Sequence, residues 1–213
     1  MSAKDCEHHG QTRRKIFRRI FAGILIFLLV ILITILIVWA ILRPSKPNFI
    51  LQDATLYALN LSSPNTLTST FQVTFSSRNP NDNIGIYYDK LNVYANYRNQ
   101  QITYRTAIPP TYQGHNEVNI WSPLIYGVSV PVAPYNAVAL GQDEGSGAIL
   151  LTIKMDGRVR WKVGTFTTGG YHIFVTCPAF IQFGNGASGN GNGIVVGENV
   201  VKYQLLVSCS VSV

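Results

Sequence analysis

The sequence predicts an all-β chain in which one N-terminal transmembrane helix precedes an antiparallel β-sandwich, with room for one short helix. Three observations carry that reading. Ile20 to Leu42 runs 23 residues without a charge. From Phe49 onward, apolar and polar residues alternate with a period of two, as strands with one buried and one wet face require. Gly, Pro and Asn clusters punctuate those stretches as turns do.

Residues 1–19 are read as a polar, disordered cytosolic tail. Lys4, Arg13, Arg14, Lys15, Arg18 and Arg19 stand before the apolar run, against only Arg43 and Lys46 between it and Arg78. That bias puts the N-terminus in the cytosol. Cys6 lies too far from the membrane to make a good acylation site, and Ser2 rules out a myristoylation signal. His8 and His9 have no partners nearby and read as solvated tail rather than as a metal site.

Residues 20–42 are the anchor. At about 1.5 Å per residue the run crosses a hydrocarbon core of about 30 Å. Thr34 is expected to bond back to the helix backbone, and Trp39 to sit at the far interface. A cleaved signal peptide is the competing reading, with Val38-Trp39-Ala40 as its cleavage site. A signal h-region spans only about 7–15 residues, however, so the segment is read as retained. Everything after Leu42 then lies outside the cytosol.

Residues 43–48 are read as a linker and 49–213 as one sandwich domain, long enough for its own core. The net charge of +7 is uneven: residues 1–42 hold six basic and two acidic residues, the remainder eleven and eight. The juxtamembrane cations point to anionic inner-leaflet lipid, at about 1 kcal/mol each near the surface. They do not point to nucleic acid, for which the chain has no zinc-finger or RNP pattern.

Within the domain, Leu67 to Phe75 alternates except at Ser69. Leu91, Val93, Ala95 and Tyr97 share a face, and Ile102, Tyr104, Thr106 and Ile108 form the expected return strand. Pro131 to Leu140 reads as a short helix or a strand. Ile149, Leu151 and Ile153 and then Val159, Trp161 and Val163 are read as the arms of a hairpin around Met155-Asp156-Gly157. A three-residue loop with Gly157 in the left-handed region pairs Ile153 with Val159 and Leu151 with Trp161. Lys154, Arg158, Arg160 and Lys162 then share the opposite face. Gly184 to Asn199 reads as a mobile loop with a short edge strand at Ile194-Val195-Val196; it lacks the GK[ST] of a phosphate-binding loop. Val201, Tyr203, Leu205, Val207, Cys209, Val211 and Val213 line one face of a final strand, with Leu206 out of pattern.

Few residues announce chemistry. Of the histidines, only His115 and His172 fall in the domain, and no nucleophile signature accompanies them, so no catalytic residue is expected. Asn79-x-Asn81-x-Asn83 imitates the start of a calcium loop, but Ile84 and Lys90 stand where glycine and glutamate are needed. Asn79, Pro80 and Asn81 therefore read as a tight turn, and neither metal nor cofactor is expected. Cys177 and Cys209 fall on apolar faces. Outside the cytosol a facing pair would form a disulfide; the open alternative is two buried thiols. Asn60-Leu61-Ser62 is the one glycosylation sequon. Lys154, Arg158, Arg160 and Lys162 form a stripe for an anionic ligand or an ordinary solvated face.

Asn79-Pro80-Asn81 followed by Ile84-Gly85-Ile86-Tyr87-Tyr88-Asp89 resembles the hallmark of plant harpin-induced and non-race-specific disease resistance-like proteins. Tyr112-Gln113-Gly114-His115, Gly157 to Gly164, Cys177-Pro178-Ala179, Val201 to Gln204 and Cys209-Ser210-Val211 extend the likeness. The resemblance implies a group-2 late-embryogenesis-abundant, or water-stress and hypersensitive-response, domain with a fibronectin-like sandwich. It further implies plasma-membrane residence, a role in defence, senescence or stress signalling, and no enzymatic residues. The single sequon departs from relatives with several and argues against heavy glycosylation.

Three readings follow. In the first, the sandwich binds cell-wall polysaccharide or a protein outside the cell, while the basic tail engages inner-leaflet lipid. In the second, a groove near Trp161 or the basic stripe takes a lipid or other amphiphile. The third, an enzyme built around His115 or His172, has no supporting pattern. Oligomeric state has no signature, since the anchor lacks a small-xxx-small repeat.

Overall fold

The computed structural model describes residues 4–41, 44–62, 65–182, 193–197 and 200–213, with side chains placed for 16–37, 44–62, 65–182 and 201–213. The chain divides into two compact units, Met1–Arg43 and Pro44–Val213.

In the first unit, helix α1 spans Lys4–Ile41. The tail expected to be disordered is therefore helical from Lys4. Its Arg, Lys, Gln and Glu residues are good helix formers, and extending an existing helix avoids the cost of nucleation. Ile16–Ile37 is long and apolar enough to cross a membrane, with its large side chains exposed on every side. Thr34 Oγ1 donates to the Ile31 carbonyl at 2.7 Å, the expected back-bond. The side chains of Cys6, His8, His9 and Trp39 lie outside the described set.

The second unit is built from strands. β1 (Asn48–Ser62), β2 (Thr66–Arg78) and β3 (Ile84–Tyr97) are long. β4 (Gln100–Gln101), β5 (Thr106–Ile108), β6 (Thr111–Gln113) and β7 (Val118–Trp121) are short. β8 (Leu124–Pro131) leads into α2 (Pro134–Gly145), then β9 (Ala148–Val163) and β10 (Phe166–Thr167). β11 (Tyr171–Gln182), β12 (Gly193–Gly197), β13 (Val200–Ser208) and β14 (Ser210–Ser212) follow. The first sheet runs β12-β13-β1-β2, with β7 and β8 both on the outer edge of β2. The second runs β14-β11-β9-β3, with β4, β5 and β6 on β3 and β10 on β9. The pairings are antiparallel.

The core lies between the sheets. Phe49, Leu51, Phe71, Val73 and Phe75 of the first share one apolar cluster with Ile86, Tyr88, Val93, Leu151, Ile153, Val159 and Trp161 of the second. Ser69, the break in the β2 alternation, occupies an inward position and is fully buried; its hydroxyl donates to the Ile102 carbonyl at 3.2 Å. A buried hydroxyl is tolerated when it is paired.

The hairpin at Met155-Asp156-Gly157 does not form. β9 runs straight through it, and Ile153 and Val159 lie on one strand and one face. The alternation Ile149, Leu151, Ile153, Met155, Gly157, Val159, Trp161 is unbroken, and it outweighs a local Asp-Gly signal. Gly157 has another reason to be glycine. A Cβ there would come within 2.0 Å of the Lys90 carbonyl oxygen and 3.0 Å of Leu91 Cα. β3 bulges at this point, its register shifting between Tyr88 and Lys90 so that Asp89 is the extra residue. Glycine admits that close backbone approach.

Two further expectations change, because each run the residues present as one strand is interrupted. The return strand after β3 is two pieces. Arg98 and Asn99 make the turn at φ 45° and 68°. β4 and β5 pair β3, but between them Tyr104 N–H donates to the Tyr126 carbonyl of β8 at 2.7 Å. Tyr104 Oη and Thr106 Oγ1 bond the Val128 and Leu124 carbonyls, so the β8 edge is covered. The final apolar run is likewise divided, β13 pairing β1 and β14 pairing β11. Pro131 to Leu140 resolves into the end of β8 and the start of α2, with Ala137, Ala139 and Leu140 buried. β12, the expected short edge strand, pairs β13; the rest of the mobile-loop reading of Gly184 to Asn199, at 184–192 and 198–199, lies outside the described residues.

Gly157→Ala is expected to destabilise the sandwich by about 1–3 kcal/mol through overpacking against β3, read as a lower midpoint in urea unfolding followed by Trp fluorescence. An unchanged midpoint would mean β3 and β9 do not approach as described.

Candidate functional site

The Asn79-Pro80-Asn81 turn links β2 to β3 and fastens three segments. Asn79 is fully buried, and its Nδ2 donates to the Ile84 carbonyl (2.7 Å) and the Gly114 carbonyl (2.8 Å). Its Oδ1 accepts from Asn81 N–H at 3.1 Å and from Asn81 Nδ2 at 2.8 Å. Asn81 then reaches the entering chain: its Oδ1 accepts from Ser45 N–H (2.8 Å) and its Nδ2 donates to the Ser45 carbonyl (2.7 Å). Both amides are satisfied on both ends, so the turn has a structural office, and nothing in it points to a cation.

The register of β3 on β9 brings the two distinctive stretches together. Gly85, Ile86, Tyr87 and Tyr88 lie opposite Lys162, Trp161, Arg160 and Val159. Inward, Tyr88 Oη donates to Gln113 Oε1 at 2.9 Å and lies 3.1 Å from Ser77 Oγ, while Gln113 Nε2 donates to the Ser77 and Glu117 carbonyls. Burial holds the Tyr88 phenol well above its ordinary range, against the smaller pull of Ser77, so it stays a neutral donor. Trp161 is only 6% exposed and belongs to the core.

Outward, the same register makes a basic and aromatic face. Lys154, Asp156, Arg158, Arg160 and Lys162 are alternate residues of β9 on the side away from the core, one acid among four cations. Arg160 is not free. Its Nε and Nη2 donate to the two carboxylate oxygens of Asp89 at 2.7 and 2.6 Å, and this pairing, more than charge alone, raises the guanidinium pKa. The bulge turns Asp89 outward to receive it. Tyr87 and Tyr112 lie with ring centres 4.5 Å apart, and Lys162 Nζ sits over them at 5.9 and 5.3 Å. Gly85 makes room, since a Cβ there would fall 2.4 Å from Tyr112 Oη. Farther along the face, Arg105 lies over Tyr94 at 4.7 Å and pairs with Asp156 at 2.9 Å. Among the described residues, Lys90, Lys154, Arg158 and Lys162 have no acidic partner within 4.0 Å.

The other singled-out residues stand apart from this face or at its rim. Cys177 of β11 is bonded to Cys209, with Cα atoms 4.4 Å apart. Cys209 is the residue between β13 and β14, and its N–H donates to the Phe49 carbonyl at 2.9 Å. Asn60 is exposed on β1 opposite Thr68. His172 stacks on Phe174 at 6.2 Å, and His115 lies in the turn after β6. Among the described residues no three His, Cys, Asp or Glu side chains gather as a metal site would require. The arrangement is suited to holding an extended anion and offers no nucleophile with a base beside it. Sequence reasoning missed Asp89, Tyr87 and Tyr112 as members of the face, because only the strand register places them beside Arg160 and Lys162.

A family described as late embryogenesis abundant protein, LEA_2, matches residues 74–177, from β2 to Cys177. The chain is 64% identical over 212 residues to NDR1/HIN1-like protein 1 of Arabidopsis thaliana, across 99% of this chain and 100% of that one. It is 64% identical to NDR1/HIN1-like protein 12 of the same plant over 83% of this chain and 82% of the relative, and 45% identical to NDR1/HIN1-like protein 26 over 69% and 70%.

Asn79→Asp keeps the volume but sets a carboxylate against the Ile84 and Gly114 carbonyls. It is expected to cost about 3 kcal/mol or more of stability, measured by urea unfolding. Wild-type stability in this variant would remove the turn from its fastening role.

Proposed function

We propose that this chain, which belongs to the NDR1/HIN1-like family of late embryogenesis abundant proteins, is a single-pass plasma-membrane protein of plant defence and stress signalling that acts by binding. Its N-terminus is cytosolic, its basic tail meets anionic inner-leaflet lipid, and its sandwich stands outside the cell. There the Cys177–Cys209 pair is oxidised and Asn60 carries a glycan. No turnover is involved.

The observation that carries the binding mode is the outer face of β9 and β3. Lys90, Lys154, Arg158 and Lys162, without an acidic partner among the described residues, are interleaved with Tyr87, Tyr94 and Tyr112 on one face. Such a surface fits an acidic cell-wall polysaccharide. Uronate carboxylates meet the cations, and the C–H faces of the sugars lie against the tyrosines. The unpaired cations of β9, Lys154, Arg158 and Lys162, stand four residues apart, about 13 Å along the strand, a spread that suits an extended polymer more than a compact anion. The Arg160–Asp89 pair braces the face. The groove reading has no comparable support, because Trp161 is packed in the core.

The test is binding of full-length protein in nanodiscs to polygalacturonate across a salt series. Lys154→Gln, Arg158→Gln and Lys162→Gln together are expected to weaken low-salt binding about 10- to 100-fold, while the braced core keeps the fold. Undiminished binding by the triple variant would reject this face as the site. Binding of a wall protein instead, unaffected by salt, would favour a protein partner.

A further inference from the structure

We propose that the end of the sandwich where the chain enters rests on the outer surface of the bilayer that α1 spans, with an apolar belt at the level of the lipid headgroups. The belt comprises Ile50, Val118, Ile120, Phe166 and Leu206. The inference rests on the single-pass reading above and concerns a different surface from the polyanion face.

Chain length sets the first limit. α1 ends at Ile41, and Ser45 is the first residue held, through both backbone groups, by Asn81. Four residues of fully extended chain reach at most about 14 Å. On the single-pass reading, that short connection is the only limit the chain sets on the distance between Ser45 and the end of α1.

The strand register puts the belt at that end. In the first sheet Asn48, Arg78 and Val118 form the entry row, and Ile50, Ser76 and Ile120 a row just above it on the outward face. Leu206 lies beside them on β13, between the partners of Leu51 and Asp53. In the second sheet Ile84, three residues past Asn81, pairs with Val163, which pairs with Phe166. Phe166 is 81% exposed and Leu206 74%, the most exposed large apolar side chains described in this unit. Each is presented by a special backbone: Gly164, at φ 57°, makes the tight turn before Phe166, and Leu206 itself adopts φ 47°. A leucine in the left-handed region is disfavoured, and among the described residues this one stays largely uncovered. The β2 positions farther from the entry, Thr74, Gln72, Thr70 and Thr68, are polar on the same outward face.

Charge agrees. Arg78 is exposed in the entry row with no acidic partner within 4.0 Å among the described residues, well placed for a lipid phosphate. Exposed phenylalanine, leucine and arginine are residue types that settle at a membrane interface.

The test uses the full chain in phosphatidylcholine nanodiscs, in a Cys6→Ser background so that only an added cysteine takes a nitroxide. Labels go at Phe166→Cys and Ile120→Cys, at Ile26→Cys within the apolar helix, and at Tyr135→Cys on α2. That last site lies at the opposite end, where Asn136 bonds Gln100 beyond Tyr97. Collision rates with oxygen, which favours lipid, and with a water-soluble nickel chelate report depth. The oxygen-to-nickel ratio at 166 and 120 is expected to exceed that at 135 several-fold. Ratios at 166 and 120 equal to that at 135, with Ile26 reading lipid, would overturn the inference alone. An aqueous Ile26 would overturn the single-pass reading and the inference with it.

Discussion

The register of β3 against β9 is the constraint on which the rest depends. Side chains in a strand alternate between faces, so a slip of one residue would exchange core for surface along the whole pair. With Ile86 on Trp161 and Tyr88 on Val159, the large apolar residues enter the core and Tyr87, Arg160 and Lys162 leave it. The bulge at Asp89 then adds one residue to β3, so that both Asp89 and Lys90 face outward and Leu91 returns to the core. Gly157 accepts the crowded backbone opposite, and Asp89 takes up Arg160. Local geometry, core packing and the charge of the outer face are thus set by one pairing.

Two other devices hold the domain as a unit. The Asn79-Pro80-Asn81 turn joins the entering chain to the start of β3 and to the loop after β6, using side-chain amides where regular strand pairing is absent. The Cys177–Cys209 bond joins β11 to the residue at which the last segment passes between sheets. A cross-link closing a loop of this size contributes about 3–4 kcal/mol in the chain-entropy account. Both devices sit where strands end or change sheets, which is where backbone pairing alone leaves groups unpaired.

Much of this was legible in the residues. The uncharged run of the anchor, the alternation of β2 and the turn formed by Asn79 and Asn81 follow from local patterns, and the all-β class from their sum. What local patterns conceal is the choice of partner. The Asp156-Gly157 pair looks like a turn until β3 is known to press against it. The apolar face from Val201 to Val213 looks like one strand, although its two halves serve different sheets. Arg160 looks like a free cation until Asp89, 71 residues away, is brought beside it. The helical tail shows the opposite case, in which propagation from α1 overrides a polar composition that reads as disordered.

The proposed polyanion binding and the proposed glycosylation at Asn60 share one premise, that the sandwich stands outside the cytosol, where the Cys177–Cys209 bond would also persist. The most direct measurement is topological. Cells stripped of their walls and carrying a tag after Val213 are treated with impermeant protease, and endoglycosidase shifts of wild type and Asn60→Gln are compared. The account expects loss of the tag from intact cells and a mobility shift that Asn60→Gln abolishes. A tag protected until permeabilisation and then found in the cytosol, on unshifted protein, would contradict it.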